Sequence, residues 1–439
     1  MSKQVASTII RQMRLILKKL TSSEGVRQSG ITIIGNSLAT GLSAIALILI
    51  SRILGPEKFG EFSVGFAIVM IITRFNDAGL SSTIFKFAAE DNDKKAKLAV
   101  FSLTMKYRLM LSLIIAIVGV TTSSYLSRLL HLENSSLVLI AFIFGLSTAY
   151  YEQLLTSLQA LHKFTQAVIV NALQAGFKLV SAVFFLLLNL SSVPIIFSLY
   201  VLAPLFPLFF SKKLLPDWVK LNLKQRYPKQ KKLIIGMAKH SGIAFILAGL
   251  IEHIDILFVQ HYLNSYETGL LGGTTRISMM FALIAYSLGN VLFPRVARYK
   301  TKEHLSKYIK KAGLISTMSL FGFLSFLPFS KFSIWLTIGP EYMPGSFVLN
   351  ILVAASFLAI ASIPFVALFY SYDSAWYFSI SGVLQLAIVL IGNFIFVPIY
   401  GLKAAAWTRL ITRFSLFLFT LITGLILYKQ KYGFQKETT

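Results

Sequence analysis

In MIITRFNDAGL (70–80) a guanidinium and a carboxylate stand three residues apart inside an otherwise apolar run. Arg74 and Asp77 are not alone. Lys178, Arg276, Arg409 and Arg413 place further cations in apolar stretches, and Glu152, Glu252 and Asp255 place further acids there. Arg74 with Asp77 and Glu252 with Asp255 are i, i+3 pairs, while Arg409 and Arg413 are one turn apart, so each couple would share a helical face. Cations in such settings bind phosphate oxygens, the guanidinium fork bidentately. Acids there either hold helices together by pairing with the cations or exchange protons and small cations. Glu152 lies toward the end of its apolar run and reads as an interfacial polar residue.

Other chemistries find no support. The chain has no cysteine, which removes disulfides, thiol nucleophiles and Cys-based metal sites. Its six histidines, His131, His162, His240, His253, His261 and His304, show no metal-binding spacing with an acid. GLLGG (269–273) has no strand before it, so a phosphate loop is not expected there. No cofactor and no metal are expected.

The elements that must position these charges are helices in a membrane. Of 439 residues, 56% are hydrophobic and 13% charged, and the mean hydropathy is +0.72. A soluble domain needs more polar surface. Apolar segments of spanning length fall near 30–53, 61–84, 106–126, 135–159, 166–189, 192–211, 238–261, 269–292, 312–330, 345–370, 376–397 and 402–427. At about 1.5 Å per residue these cross roughly 30 Å of hydrocarbon. Backbone amides in lipid must be satisfied within the segment, so each is a helix, and no ten-residue alternation suggests a barrel. The basic stretch before residue 30 is longer than that of a secretory signal, and residues 30–53 are read as a retained helix.

The net charge of +25 would suggest nucleic acid in a soluble protein. Its distribution says otherwise. Thirty-two of the 42 Lys and Arg fall with the termini and the loops after even-numbered spans. Five, Arg52, Lys58, Arg128, Lys331 and Lys403, fall on the other side. That asymmetry puts both termini in the cytoplasm. SKKLLPDWVKLNLKQRYPKQKK (211–232) is then mainly a topology signal beside an anionic leaflet.

The same loop divides the chain. The expected organisation is a basic segment 1–28, an N-lobe 29–211, a linker 212–237, a C-lobe 238–428 and a tail 429–439. Leu54, Gly60 and Lys86 recur as Leu263, Gly269 and Arg295 at an offset of 209, as two parallel repeats about an axis along the membrane normal would require. The fold class expected is all-α: twelve transmembrane helices in two six-helix lobes. Within the spans, five cations stand against four acids. In lipid each would cost about 2.5–3.5 kcal/mol, and together more than the roughly 5–15 kcal/mol that stabilises an ordinary domain. Most of them must therefore face one another or a hydrated cavity between the lobes.

SRILGPEKFGEFSVGFAIVMIITRFNDAGLSSTIFKFAAED (51–91) closely resembles the first hairpin of polysaccharide-biosynthesis flippases. The resemblance continues in IEHIDILFVQHYLNSYETGLLGGTTRIS (251–278), VLFPRVARYK (291–300), IGPEYMPGSFVLNILV (338–353) and VPIYGLKAAAWTRLITR (397–413). The family belongs to the superfamily that also holds MATE drug exporters and the lipid II flippase. The resemblance implies a V-shaped pair of lobes around a central cavity, working by alternating access in a bacterial inner membrane. It implies as cargo an undecaprenyl-diphosphate-linked oligosaccharide, an O-antigen, capsule or exopolysaccharide unit, moved from the cytoplasmic to the outer leaflet. Under it, Arg74, Lys178, Arg276, Arg409 and Arg413 would meet the diphosphate or acidic sugars. Asp77, Glu252 and Asp255 would couple H+ or Na+ or reset the empty carrier. Tyr150, Tyr151 and Trp407 are candidates for reading sugar. Membrane lipids, glycosyltransferases and a polysaccharide polymerase would be partners, and nucleic acid would not.

Two rivals differ in what they need. A MATE-type exporter of cationic drugs would want acids in its cavity more than arginines. A membrane glycan polymerase would normally present a sizeable outer loop, and all the outer loops here are short.

Overall fold

The computed structural model describes residues 24–89, 93–225, 227–299, 301–372 and 376–432, and within them all regular structure is helical. Among the described residues ten helices are long and apolar enough to cross a membrane. The first of them contains two spans and the shorter Val193–Leu208 segment supplies another, which gives the twelve expected from hydropathy.

Glu24–Asp77 is broken at Gly55, whose φ of 67° and ψ of 173° lie outside the helical region. Glycine takes a positive φ without a Cβ clash, and Pro56 then starts the next helix where no amide donor is needed. Side-chain contacts show that the chain doubles back there. Asn36, before the break, accepts from Asn171 at 2.7 Å. Asn171 in turn accepts from Tyr151, whose neighbour Glu152 meets Arg74 beyond the break at 3.4 Å. Residues 36 and 74 therefore lie at one level of the N-lobe.

Helices overrun the apolar segments on the side that carries the basic linker. Lys94–Leu129 and Pro228–Tyr262 begin three turns or so before the hydropathy boundary, the second within the stretch expected as linker. Hydropathy marks hydrocarbon depth, while a helix continues into the headgroups wherever a cap closes it. Asp93 does so by accepting from Lys95 N at 2.9 Å. The linker docks on the N-lobe through Trp218, Val219 and Tyr227, packed near Leu80, Ile84 and Phe101.

Residues 24–208 build the first six spans and 228–432 the second six. Large apolar side chains such as Leu187, Val180 and Ile399, which are 74%, 69% and 64% exposed, cover the outward faces. The main core instead runs across the seam between the lobes, from Ile50, Phe59 and Phe62 to Val259, Leu271 and Tyr342.

The lobes meet most tightly on the side away from the linker. Gly60 and Gly269, the pair expected from the 209-residue offset, face each other. A Cβ on Gly60 would lie 1.8 Å from Ser265 O, and one on Gly269 would lie 1.7 Å from Pro56 O. Around them Arg52 donates to the carbonyls of Trp335, Leu336 and Thr337 at 3.1, 2.6 and 2.5 Å. Tyr342 donates to Ser51 O at 2.9 Å, and Gln260 to Leu130 O at 3.0 Å.

Candidate functional site

On the linker side of the seam the second span breaks. Ala78 and Gly79 take φ of 40° and 81°, and the chain resumes as Leu80–Thr83 and the π-helical turn Ile84–Ala88. Gly79 is pressed on the seventh span, where its Cβ would lie 2.6 Å from Gly242 N. Asp77 fixes this bend. Its Oδ1 accepts from the Ser81 amide at 3.2 Å and from the Ser81 hydroxyl.

The expected face-sharing of Arg74 with Asp77 does not make an ion pair. Asp77 pairs instead with Arg108 of the third span at 2.6 Å, with side chains 1% and 0% exposed. Arg108 also donates to Ala149 O at 2.8 Å and to Asn76 Oδ1 at 3.4 Å. Asn76 donates to Ser112 Oγ at 2.8 Å, where Tyr150 also donates at 2.8 Å. The sequence reading missed Arg108 because the charge asymmetry assigned it to the basic rim. The signal was its position, inside the segment 106–126. Arg108 thus joins Arg74, Lys178, Arg276, Arg409 and Arg413 among the cations that the helices hold within the membrane.

Arg74 meets Glu152 through a single contact, Nη1 to Oε2 at 3.4 Å, with side chains 33% and 27% exposed. Glu152 is thus no interfacial bystander. Both line a cavity of about 600 Å3 with Asp77, Ser81, Lys86 and Gln159, closed on the far wall by Met237 and Phe245 of the seventh span.

Deeper in the seam an aromatic bridge carries two cations. Lys178 Nζ sits 4.4 Å over the Tyr200 ring, and the Arg276 guanidinium 4.1 Å over Phe66. Phe66 and Tyr200 meet edge to face at 6.0 Å, so the fifth and eighth spans present their cations on one aromatic pair. Arg276 crosses the seam to do it. Among the described residues neither cation has a carboxylate within ion-pairing distance. Arg276 Nε is buried without a hydrogen-bond partner, and the residue lines a 240 Å3 cavity with Thr40 and Ser43.

The remaining candidates sit in the C-lobe. Asp255 pairs with Arg409 at 2.5 Å, and Arg409 also donates to the Glu252 carbonyl at 2.8 Å. Among the described residues neither Glu252 nor Asp255 makes an ion pair with Arg276. Arg413 lines a separate cavity of about 330 Å3 with Glu252, Ser379 and Gln385. Of the three acids read as ion-coupling candidates, Asp77 and Asp255 are locked to guanidinium groups, and Glu252 makes no side-chain ion pair among the described residues. Trp407 belongs to the exposed stripe of Ile411, Phe414 and Leu418, on another face from Arg409 and Arg413. Tyr151 is spent on Asn171.

Comparison with known proteins agrees with this architecture. The family described as "Polysaccharide biosynthesis protein" matches residues 26–300. An uncharacterized membrane protein of Methanocaldococcus jannaschii is 24% identical over 410 residues, 88% of this chain and 94% of that protein. Among solved structures, an inward-facing multidrug resistance transporter of the MATE family superposes with a TM-score of 0.75 at 15% identity, covering 94% of this chain and all of the other. The lipid II flippase MurJ in an inward closed conformation gives 0.71 at 13% identity, covering 93% of each chain. An outward-facing MATE transporter gives 0.63 at 17% identity, covering 93% of this chain and 96% of that one. The shared fold is the V-shaped helical pair of lobes.

Proposed function

The chain belongs to the polysaccharide biosynthesis protein family, and from that premise we propose that it is a flippase for an oligosaccharide carried on a polyprenyl diphosphate. It acts in the cytoplasmic membrane with both termini in the cytoplasm, and it is a transporter rather than an enzyme. The cargo enters between the lobes with its diphosphate in the seam and its lipid tail outside in the bilayer. Parting of the lobes at the Gly60–Gly269 crossing then exposes the headgroup to the other side.

One observation carries the choice of an anionic cargo: Lys178 and Arg276 converge on the Phe66–Tyr200 bridge, and among the described residues no acid pairs with either. A ring face stabilises a cation without consuming its charge, so both stay available to phosphate. A cationic drug would meet the opposite arrangement, because Asp77, Glu152 and Asp255 are each occupied by an arginine. Membrane potential can drive this traffic without a free acid, since each negative charge moved outward across 100 mV gains about 2.3 kcal/mol. Glu252 is the remaining candidate for ion coupling.

The test is export. Loss of the protein should strand lipid-linked oligosaccharide on the cytoplasmic leaflet, read by leaflet-selective labelling of the glycan. Lys178→Ala combined with Arg276→Ala should cut export at least tenfold at unchanged protein level. Normal surface glycan in that variant, or in Arg74→Ala together with Arg276→Ala, refutes the assignment.

A further inference from the structure

We propose that Glu152 is the built-in counter-ion of Arg74: it holds the guanidinium while the cavity is empty and releases it when a diphosphate enters. The proposal rests on the anionic-cargo reading and adds to it a residue and an exchange step. It follows from a contrast among the three ion pairs within the spans. Arg108–Asp77 is 2.6 Å long with side chains 0% and 1% exposed, and Arg409–Asp255 is 2.5 Å long with 16% and 4%. Opening either would strand a charge in the interior. Arg74–Glu152 is 3.4 Å long with 33% and 27% exposed, and both partners face the same 600 Å3 cavity. A pair this open and this long holds weakly, whereas a diphosphate offers the guanidinium two short charge-assisted bonds.

The surroundings let the heads move while the stems stay. Gly249 of the seventh span lies against the Arg74 stem, where a Cβ would come within 2.6 Å of Cγ. The Glu152 carbonyl accepts from Thr156 at 2.8 Å, and neighbouring Tyr151 is tied to Asn171. With Asp77 neutralised by Arg108, the cavity wall presents Arg74 and Lys86 against Glu152 alone. Once ligand takes Arg74, the polar contact broken among the described residues is the one to Glu152. After release the carboxylate returns, and the empty carrier resets without a bare guanidinium in the seam.

Binding to the full-length protein in detergent tests this, with farnesyl diphosphate as the probe and titration calorimetry as the readout. Glu152→Gln should bind about three- to fivefold tighter than wild type, the gain expected from removing an open ion pair that ligand must displace. Glu152→Asp, shorter but charged, should fall between. The gain should vanish in Arg74→Ala, so that Arg74→Ala/Glu152→Gln binds as Arg74→Ala does; a merely structural glutamate would not give that dependence. Unchanged or weaker binding by a folded Glu152→Gln, beside normal wild-type binding that Lys178→Ala/Arg276→Ala weakens, overturns the counter-ion and leaves the flippase reading standing. Absence of wild-type binding overturns both. Inorganic diphosphate run in parallel should show the same ratio between variants at lower affinity, and equal affinity for the two probes overturns a lipid-borne source.

Discussion

The two lobes keep charge in the membrane by different means. The N-lobe neutralises locally: Asp77, Arg108, Asn76 and Ser112 close a network in which the central ion pair is fully buried. The C-lobe holds one such pair, Arg409–Asp255, and sends Arg276 across the seam to rest on a ring of the other lobe. A sealed network gives a rigid platform, and its strength is that neither partner can leave. A cation seated on an aromatic face is held without being satisfied. The N-lobe therefore sets the frame, and the seam carries Lys178 and Arg276 on ring faces, without an ion pair among the described residues.

The largest effect should come from breaking the sealed side. Arg108→Ala leaves Asp77 buried and unpaired, which costs about 3–5 kcal/mol, and should lower the thermal midpoint in detergent more than any other single charge removal here. Asp77→Asn in that background should recover part of the loss, because the stranded charge is gone. Arg74→Ala, which empties an open pair, should cost within about 1 kcal/mol. Equal destabilisation by Arg108→Ala and Arg74→Ala would erase the distinction between platform and site.

How much of this was legible follows from the same contrast. Hydropathy located all twelve spans, because exclusion from water acts on a whole segment at once. The repeat offset found Gly60 and Gly269, because equivalent residues that lie near a twofold axis face each other, and glycine lets them approach closely. Partners were another matter. The i, i+3 spacing of Arg74 and Asp77 assumes an unbroken helix with nothing better nearby, whereas the helix breaks after Asp77 and the third and fourth spans supply Arg108 and Glu152. Arg108 was hidden by the rule that located the membrane sides, since a cation near a span end counts as a rim charge. Trp407 invited a sugar-reading role by its type, yet its stripe faces away from the arginines. Which helix stands beside which is a tertiary fact, and one chain without its neighbours does not encode it in spacing.

A middle-sized effect sharpens the seam side. Phe66→Ala removes the face under Arg276 and the edge contact to Tyr200. A desolvated cation–π contact is worth about 2 kcal/mol, so the thermal midpoint should fall less than in Arg108→Ala. Farnesyl diphosphate affinity should fall severalfold, since Arg276 loses its seat. Phe66→Tyr keeps the face and should restore binding. Loss of stability without loss of affinity would reduce the bridge to packing.

The smallest effect concerns the latch away from the linker. Arg52 is solvent-exposed, and its three bonds go to the last two carbonyls of the Ser330–Leu336 helix and to that of Thr337, which caps it. Those carbonyls lack partners of their own within the helix, so a guanidinium there satisfies groups that would otherwise need water. Water is close at hand, and Arg52→Ala should change stability by less than about 1 kcal/mol. Its consequence is kinetic. Under the proposed function the latch joins the lobes where they must part for release, so its loss should favour opening on that side. The chain has no cysteine, which makes the measurement direct: a single Thr337→Cys should react severalfold faster with a membrane-impermeant maleimide when Arg52 is Ala. Labelling from outside intact cells would also check the assigned orientation, and an unchanged rate would mean that the glycine crossing alone keeps this side closed.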